Sequence, residues 1–208
     1  MAPEQDCLQY FTKETGTIAT FNWDTTTTTI ASTQVHLSNQ YYDICVRRQR
    51  SYCSLCLSPQ VLSTADDVAS SYGLGSSSVD AAAKNAVGTT CTGITSQAPT
   101  STGYGDYIEI ANLQATIGSS GTIGTNSRVC GGLFNAGTAS IQTTQATACT
   151  FAVPFKIGVH FDDGEVLINA NVATTAFTKG ENVALTDIVT GAGLPYSGFW
   201  FAYWQNSC

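Results

Sequence analysis

Eight cysteines run almost the full length of the 208-residue chain: Cys7, Cys45, Cys53, Cys56, Cys91, Cys130, Cys149 and Cys208. An even number, spread this widely, constrains the fold more than any other feature. The first and last of them sit near the two ends of the chain. Two other uses of cysteine compete. "CSLC" (53–56) has the two-residue spacing of a zinc knuckle or a redox pair. A zinc site needs a second such pair or a pair of histidines, but the only histidines are His36 and His160, far apart in sequence. A redox pair wants a following helix, whereas "LSPQ" interrupts the chain at Pro59. Four disulfides in a secreted protein is the reading these residues favour.

The segments between the cysteines are strand-like. "GTIATFNW" (16–23), "YYDICVRR" (41–48), "DYIEIANL" (106–113), "TFAVPFKIGVHF" (150–161), "EVLINANV" (165–172) and "GFWFAYW" (198–204) are rich in β-branched and aromatic residues. Turn residues separate them, at 119–121, 130–132, 162–164 and 191–195. This predicts an antiparallel sandwich or barrel. One short helix is expected over "SSSVDAAAKNAVG", with a Ser cap near Ser78, three alanines, Lys84 late and Gly88 as the stop. The threonine run at 25–29 reads as a strand or hairpin edge. No internal repeat or linker divides the chain, so residues 1–208 are taken as one domain.

Only 11% of the residues are charged, against roughly 25% in an average domain. Abundant aromatics oppose disorder all the same. A formal net charge of -7 argues against nucleic acid or an anionic membrane surface as a main partner. One basic cluster, "CVRRQR" (45–50), interrupts the acidity and is expected to be a short strand with alternating solvated arginines. No run approaches the ~18 apolar residues of a membrane span. The opening "MAPEQDC" carries no signal peptide, as expected of a mature secreted form given an added start codon.

Taken together, several of these pieces resemble a CUB domain, particularly the single-domain secreted CUB-like proteins of arthropods. Cys7 precedes "GTIATFNW"; "HLSNQYYDICVRR" (36–48) looks like the second strand with its Cys, and "SYCSLCLSP" (51–59) like the arthropod variant. "GDYIEI", "RVCGG", "PFKIGVHFDD" and "GFWFAY" follow in the family's order. The resemblance implies a jelly-roll β-sandwich. It also implies the bridges Cys7–Cys45 and Cys130–Cys149; for the other four cysteines, Cys56–Cys91 and Cys53–Cys208 are the expected pairs. Residues 60–100 and 164–197 depart from the family as long insertions. The first carries the helix, and "EVLINANV" and "ENVALTDIV" could form an extra hairpin in the second.

The resemblance also implies candidate sites. Many CUB domains hold calcium at one end of the sandwich, and the ion needs several hard oxygen ligands. Asp106 and Asp162 fall on the family's aspartates, with Asp163 beside them. The family's glutamate is missing from "TSQAPTSTGY", which weakens the site. No cofactor is required. For catalysis His160 is the one base worth naming, and no nucleophile motif accompanies it, so no enzyme is expected. The closing strand sets the main question. Its pattern assigns Phe199, Phe201 and Tyr203 to the core and turns Trp200 and Trp204 outward. With Trp23 and Tyr196, these form a candidate ligand or interface set. The insertions could cover this face, it could bind a protein partner or a second copy, or it could line a pocket for a small apolar ligand. The expectation is a secreted, non-catalytic binding protein, with a carrier of a small apolar or pigment-like ligand and calcium-dependent protein binding as alternatives.

Overall fold

The structure, a computed structural model, describes residues 6–23, 29–30, 36–60, 71–74, 85–87, 106–115, 126–131, 134, 146–161, 177–178 and 198–208. These form thirteen strands: β1 (Cys7–Phe11), β2 (Thr15–Ala19), β3 (Thr29–Ile30), β4 (Gln40–Val46), β5 (Tyr52–Pro59), β6 (Tyr72–Gly73), β7 (Asn85–Val87), β8 (Tyr107–Ala115), β9 (Asn126–Gly131), β10 (Ala148–Thr150), β11 (Phe155–Phe161), β12 (Phe177–Thr178) and β13 (Gly198–Ser207). Strands β3 and β12 pair with each other. The others form one connected ribbon in the order β1-β4-β11-β8-β10-β5-β13-β2, with β9 beside β8, β7 beside β9 and β6 beside β13.

The ribbon folds back on itself at β10. This three-residue strand pairs with Leu55–Leu57 on one side and Leu113–Ala115 on the other. Thr150 donates its hydroxyl to the Ala111 carbonyl and accepts the Ala152 N–H at 3.0 Å, which fixes the bend. The two halves then face each other as in a sandwich. Ile157, Val159 and Phe161 of β11 share one core with Phe199, Phe201 and Tyr203 of β13, although these strands stand four places apart in the ribbon. Period-2 alternation produces both faces: in β11 Phe155, Ile157, Val159 and Phe161 are buried while Lys156 is exposed.

Pairing is antiparallel throughout except between β1 and β4, which run parallel. The expected all-antiparallel sheet is corrected there. After β1 the chain crosses to the opposite half for β2 before returning, so β1 and β4 point the same way. Strand β13 begins at Gly198, whose φ of +86° favours glycine; a Cβ there would meet the Thr20 hydroxyl oxygen at 2.1 Å. Thr20 clamps that point by exchanging bonds with Phe199, accepting its N–H at 3.1 Å and donating its own N–H to the Phe199 carbonyl at 3.0 Å.

Three bridges join described residues. Cys7–Cys45 links β1 to β4, with Cα atoms 5.7 Å apart, and Cys53–Cys208 ties β5 to the end of β13 at 5.1 Å. The third is Cys56–Cys149, at 4.0 Å, in place of the expected Cys56–Cys91 and Cys130–Cys149. Strand order explains the correction. Cys149 lies directly opposite Cys56 in the β10–β5 ladder. Cys130 sits on β9, and β8 runs between β9 and β10. Two strand spacings are about 10 Å, beyond a disulfide's reach. Cys130 is disulfide-bonded as well, to a partner outside the described residues.

Two local expectations also change. Asn85–Val87 is not the end of a helix; it pairs with Val129–Gly131 along the edge of β9, where ladder hydrogen bonds override the helix-forming alanines before it. The rest of that expected helix and the 165–172/181–189 hairpin lie outside the described residues. The arginine cluster is not a strand: β4 stops at Val46, and 47–51 is the loop to β5. From the threonine run, Thr29 pairs with Thr178, joining a segment of the second insertion to the early chain.

Candidate functional site

The outer face of β13 is built by the same alternation that fills the core. Phe199, Phe201 and Tyr203 are buried, and Trp200, Ala202 and Trp204 between them are half-buried on the other face. Across the ladders Trp200 faces Ala19, Ala202 lies between Thr17 and Ser58, and Trp204 between Thr15 and Cys56. Trp204 therefore stands beside the Cys56–Cys149 bridge. Asn206 closes this row, donating to the Ser54 hydroxyl at 3.2 Å and to Cys56 Sγ at 3.0 Å. Two large indoles thus stand among small neighbours, several of them hydroxylated, on a strand paired along both edges.

Trp23 does not belong to this face. It is buried, at 9% exposure, where the chain turns after β2 and its N–H donates to the Thr20 carbonyl. Tyr196 lies outside the described residues. The described part of the first insertion does not fold over the tryptophans either. Ser71 accepts from the Gln60 N–H and donates to the Trp200 carbonyl, and from there the segment turns inward. Tyr72 and Leu74 enter the core, Tyr72 packing against Phe134 and Phe201 with ring centroids 5.6 and 5.9 Å apart.

At the end of the sandwich where β8 begins, Asp106 and His36 form a buried pair, with Nε2 to Oδ2 at 3.2 Å. The other imidazole nitrogen, Nδ1, lies 3.3 Å from the Leu37 carbonyl, and the ring stacks on Phe161 at 4.0 Å. Burial, with Asp106 adding to it, pushes the Tyr72 hydroxyl well above its ordinary range. Asp106 is the one described member of the expected calcium set; Asp162 and Asp163 lie outside the described residues. Its Oδ2 is engaged by an imidazole, and among the described residues no three His, Cys, Asp or Glu side chains converge to hold a metal. Calcium asks for six to eight oxygens. The described residues alone do not fit the ion.

The other outer face, across β9, β8, β11 and β4, carries a row of stacked rings. Arg128 lies over Tyr107 at 4.6 Å, Tyr107 stacks on His160 at 4.6 Å, and Tyr41 meets His160 edge-on at 5.8 Å. Beside this row Gly158 leaves little room for a side chain, since an added Cβ would meet His160 Nε2 at 3.1 Å and Asp43 Oδ1 at 3.5 Å. His160 Nε2 is 3.8 Å from Glu109 Oε2. Partial burial lowers the imidazole below its ordinary 6.5, against the pull of Glu109, and Arg128 adds to the lowering. The folded protein thus holds this proton less tightly than the unfolded chain. The contribution to stability is present above pH 6.5 and is lost as pH falls through the folded pKa. An NMR titration is expected to place the His160 midpoint below 6.5 and to move it upward in Arg128→Gln; a parent midpoint above 6.5 would contradict this.

The geometry defines a disulfide-stapled β-sandwich whose closing strand carries aromatic residues on both faces. That is consistent with a binding module. Residues 4–206 match the family model of the animal CUB domain, so the chain belongs to the CUB domain family. CUB domains are non-catalytic. No curated protein and no solved structure matches the chain.

Proposed function

We propose that the chain is a secreted, non-catalytic binding module that meets a protein partner, in the first instance a second copy of itself, through the outer face of β13. The half-burial of Trp200 and Trp204 beside buried Phe199, Phe201 and Tyr203 carries this reading. Indole rings are enriched at the centres of protein interfaces, where they bury large area at little entropic cost. Pairing to β5 on one side and β2 on the other holds the strand rigid, so ordering it on binding costs little. Secretion is supported by the bridges, which persist in oxidising compartments.

Native mass spectrometry before and after organic extraction tests the proposal. The expected result is a dimer or larger assembly with no extractable mass. A monomer whose excess mass disappears on extraction would overturn self-association and make the same face a carrier site for a small apolar ligand. A bare monomer at tens of micromolar would also overturn it.

A further inference from the structure

Three loops cross between the halves of the sandwich at one end: 12–14 from β1 to β2, 47–51 from β4 to β5, and 151–154 from β10 to β11. Strands β1, β4 and β11 are consecutive in one half, and β2, β13, β5 and β10 in the other. The three crossings must therefore lie side by side. Gln205, buried at 6% exposure, locks the first two together. Its side-chain amide donates to the Arg47 carbonyl at 3.0 Å and the Lys13 carbonyl at 3.5 Å, and its oxygen accepts the Gln49 N–H at 2.9 Å. Arg47 Nη2 adds a bond to the Thr12 carbonyl at 3.2 Å.

This rigid end gathers Lys13, Arg47, Arg48 and Arg50, all exposed, which is half of the eight cations in the sequence. Among the described residues no carboxylate forms an ion pair with any of them. The one acid in these loops, Glu14, accepts from the Tyr52 hydroxyl at 2.6 Å. The third loop is apolar at its tip, with Phe151 56% and Val153 55% exposed.

We propose that this end docks on an anionic lipid surface, its arginines and lysine on the headgroup phosphates and Phe151 and Val153 in the interfacial layer. The net charge of -7 argued against such a surface, but the fold separates the charges. A seven-residue strand such as β4 puts the far end of the sandwich about 23 Å away, and exposed charges are screened over about 8 Å. Guanidinium groups pair bidentately with phosphate oxygens. A soluble polyanion would use the cations alone. The exposed Phe and Val beside them gain only from an apolar layer, and this favours lipid. The proposal does not depend on the role given to the outer face of β13.

Flotation with vesicles of phosphatidylserine and phosphatidylcholine, against phosphatidylcholine alone, tests it. Binding to the anionic vesicles only is expected, weakening as salt rises. At roughly fivefold per basic residue, Arg48→Gln with Arg50→Gln should weaken binding more than tenfold. Phe151→Ser with Val153→Ser should weaken it severalfold. All four side chains are exposed, and an unchanged melting temperature verifies the fold of each variant. Absence of binding to anionic vesicles, or equal binding to both kinds, overturns the proposal. So does capture by a soluble sulfated polysaccharide with no effect of the Phe151 and Val153 changes on vesicle binding.

Discussion

Phe201→Ala is expected to destabilise the protein by about 3–5 kcal/mol, read from the urea midpoint at unchanged slope. Phe201 has no exposed surface and sits where three other rings meet: Phe134 and Phe199 at 4.7 Å, and Tyr72 at 5.9 Å. Truncation removes the ring and leaves a cavity that the neighbours cannot fill, because each is anchored on a different element. Its backbone is paired to Pro59 and to Ile18, so the strand cannot shift to close the gap. A loss below 1 kcal/mol would mean that the two halves do not share this core.

The second large effect is expected at His36. Replacing it with alanine removes the imidazole from a carboxylate whose side chain is 6% exposed and the ring from its stack on Phe161, and losing a hydrogen bond to a charged group costs about 1.5–3 kcal/mol before the lost packing is added. His36→Phe separates the two contributions of the residue. It keeps the stack on Phe161 while taking the nitrogen away from Asp106. If His36→Phe were as stable as the parent, the ring stack would account for the residue and the pair would contribute nothing. Asp106→Asn in the His36→Phe background should restore part of the loss, since an amide is cheaper to bury than an anion.

The parts of the fold that were legible in the sequence are those written in local alternation. "GFWFAYW" assigns its own faces because successive side chains in a strand point to opposite sides, and burial in β13 follows that assignment residue by residue. Non-local features were not legible. Nothing in "CLQYF" says that it will pair parallel to "QYYDICV", since the direction of pairing is set by where the chain travels between them. The Cys56–Cys149 bridge needs the short β10 placed beside β5, and no spacing rule supplies that. The strand at Asn85–Val87 follows three alanines and a lysine, so local propensity pointed to helix and lost to the open edge of β9.

The candidate sites divide in the same way. The outward tryptophans could be read from the pattern, whereas Trp23 has the same chemistry but is buried by a turn that composition does not reveal. His36 and Asp106 lie 70 positions apart, in segments with no shared signal, and only the sandwich brings them together. Summed charge obscured the basic end, because -7 describes the chain and not the distribution of its cations. The three arginines within four residues were visible as a basic cluster, but neither their place in a loop nor Phe151 and Val153 in the neighbouring loop was.

The claim that the outer face of β13 is the contact surface is tested most directly by hydroxyl-radical footprinting of the assembled and dissociated protein. Trp200 and Trp204 should label when dissociated and become protected on assembly. Trp23 should stay protected in both states, and Phe151, on the end face, should label equally in both. Protection at Phe151 with unchanged labelling of Trp200 and Trp204 would contradict the claim and move the contact surface to the basic end.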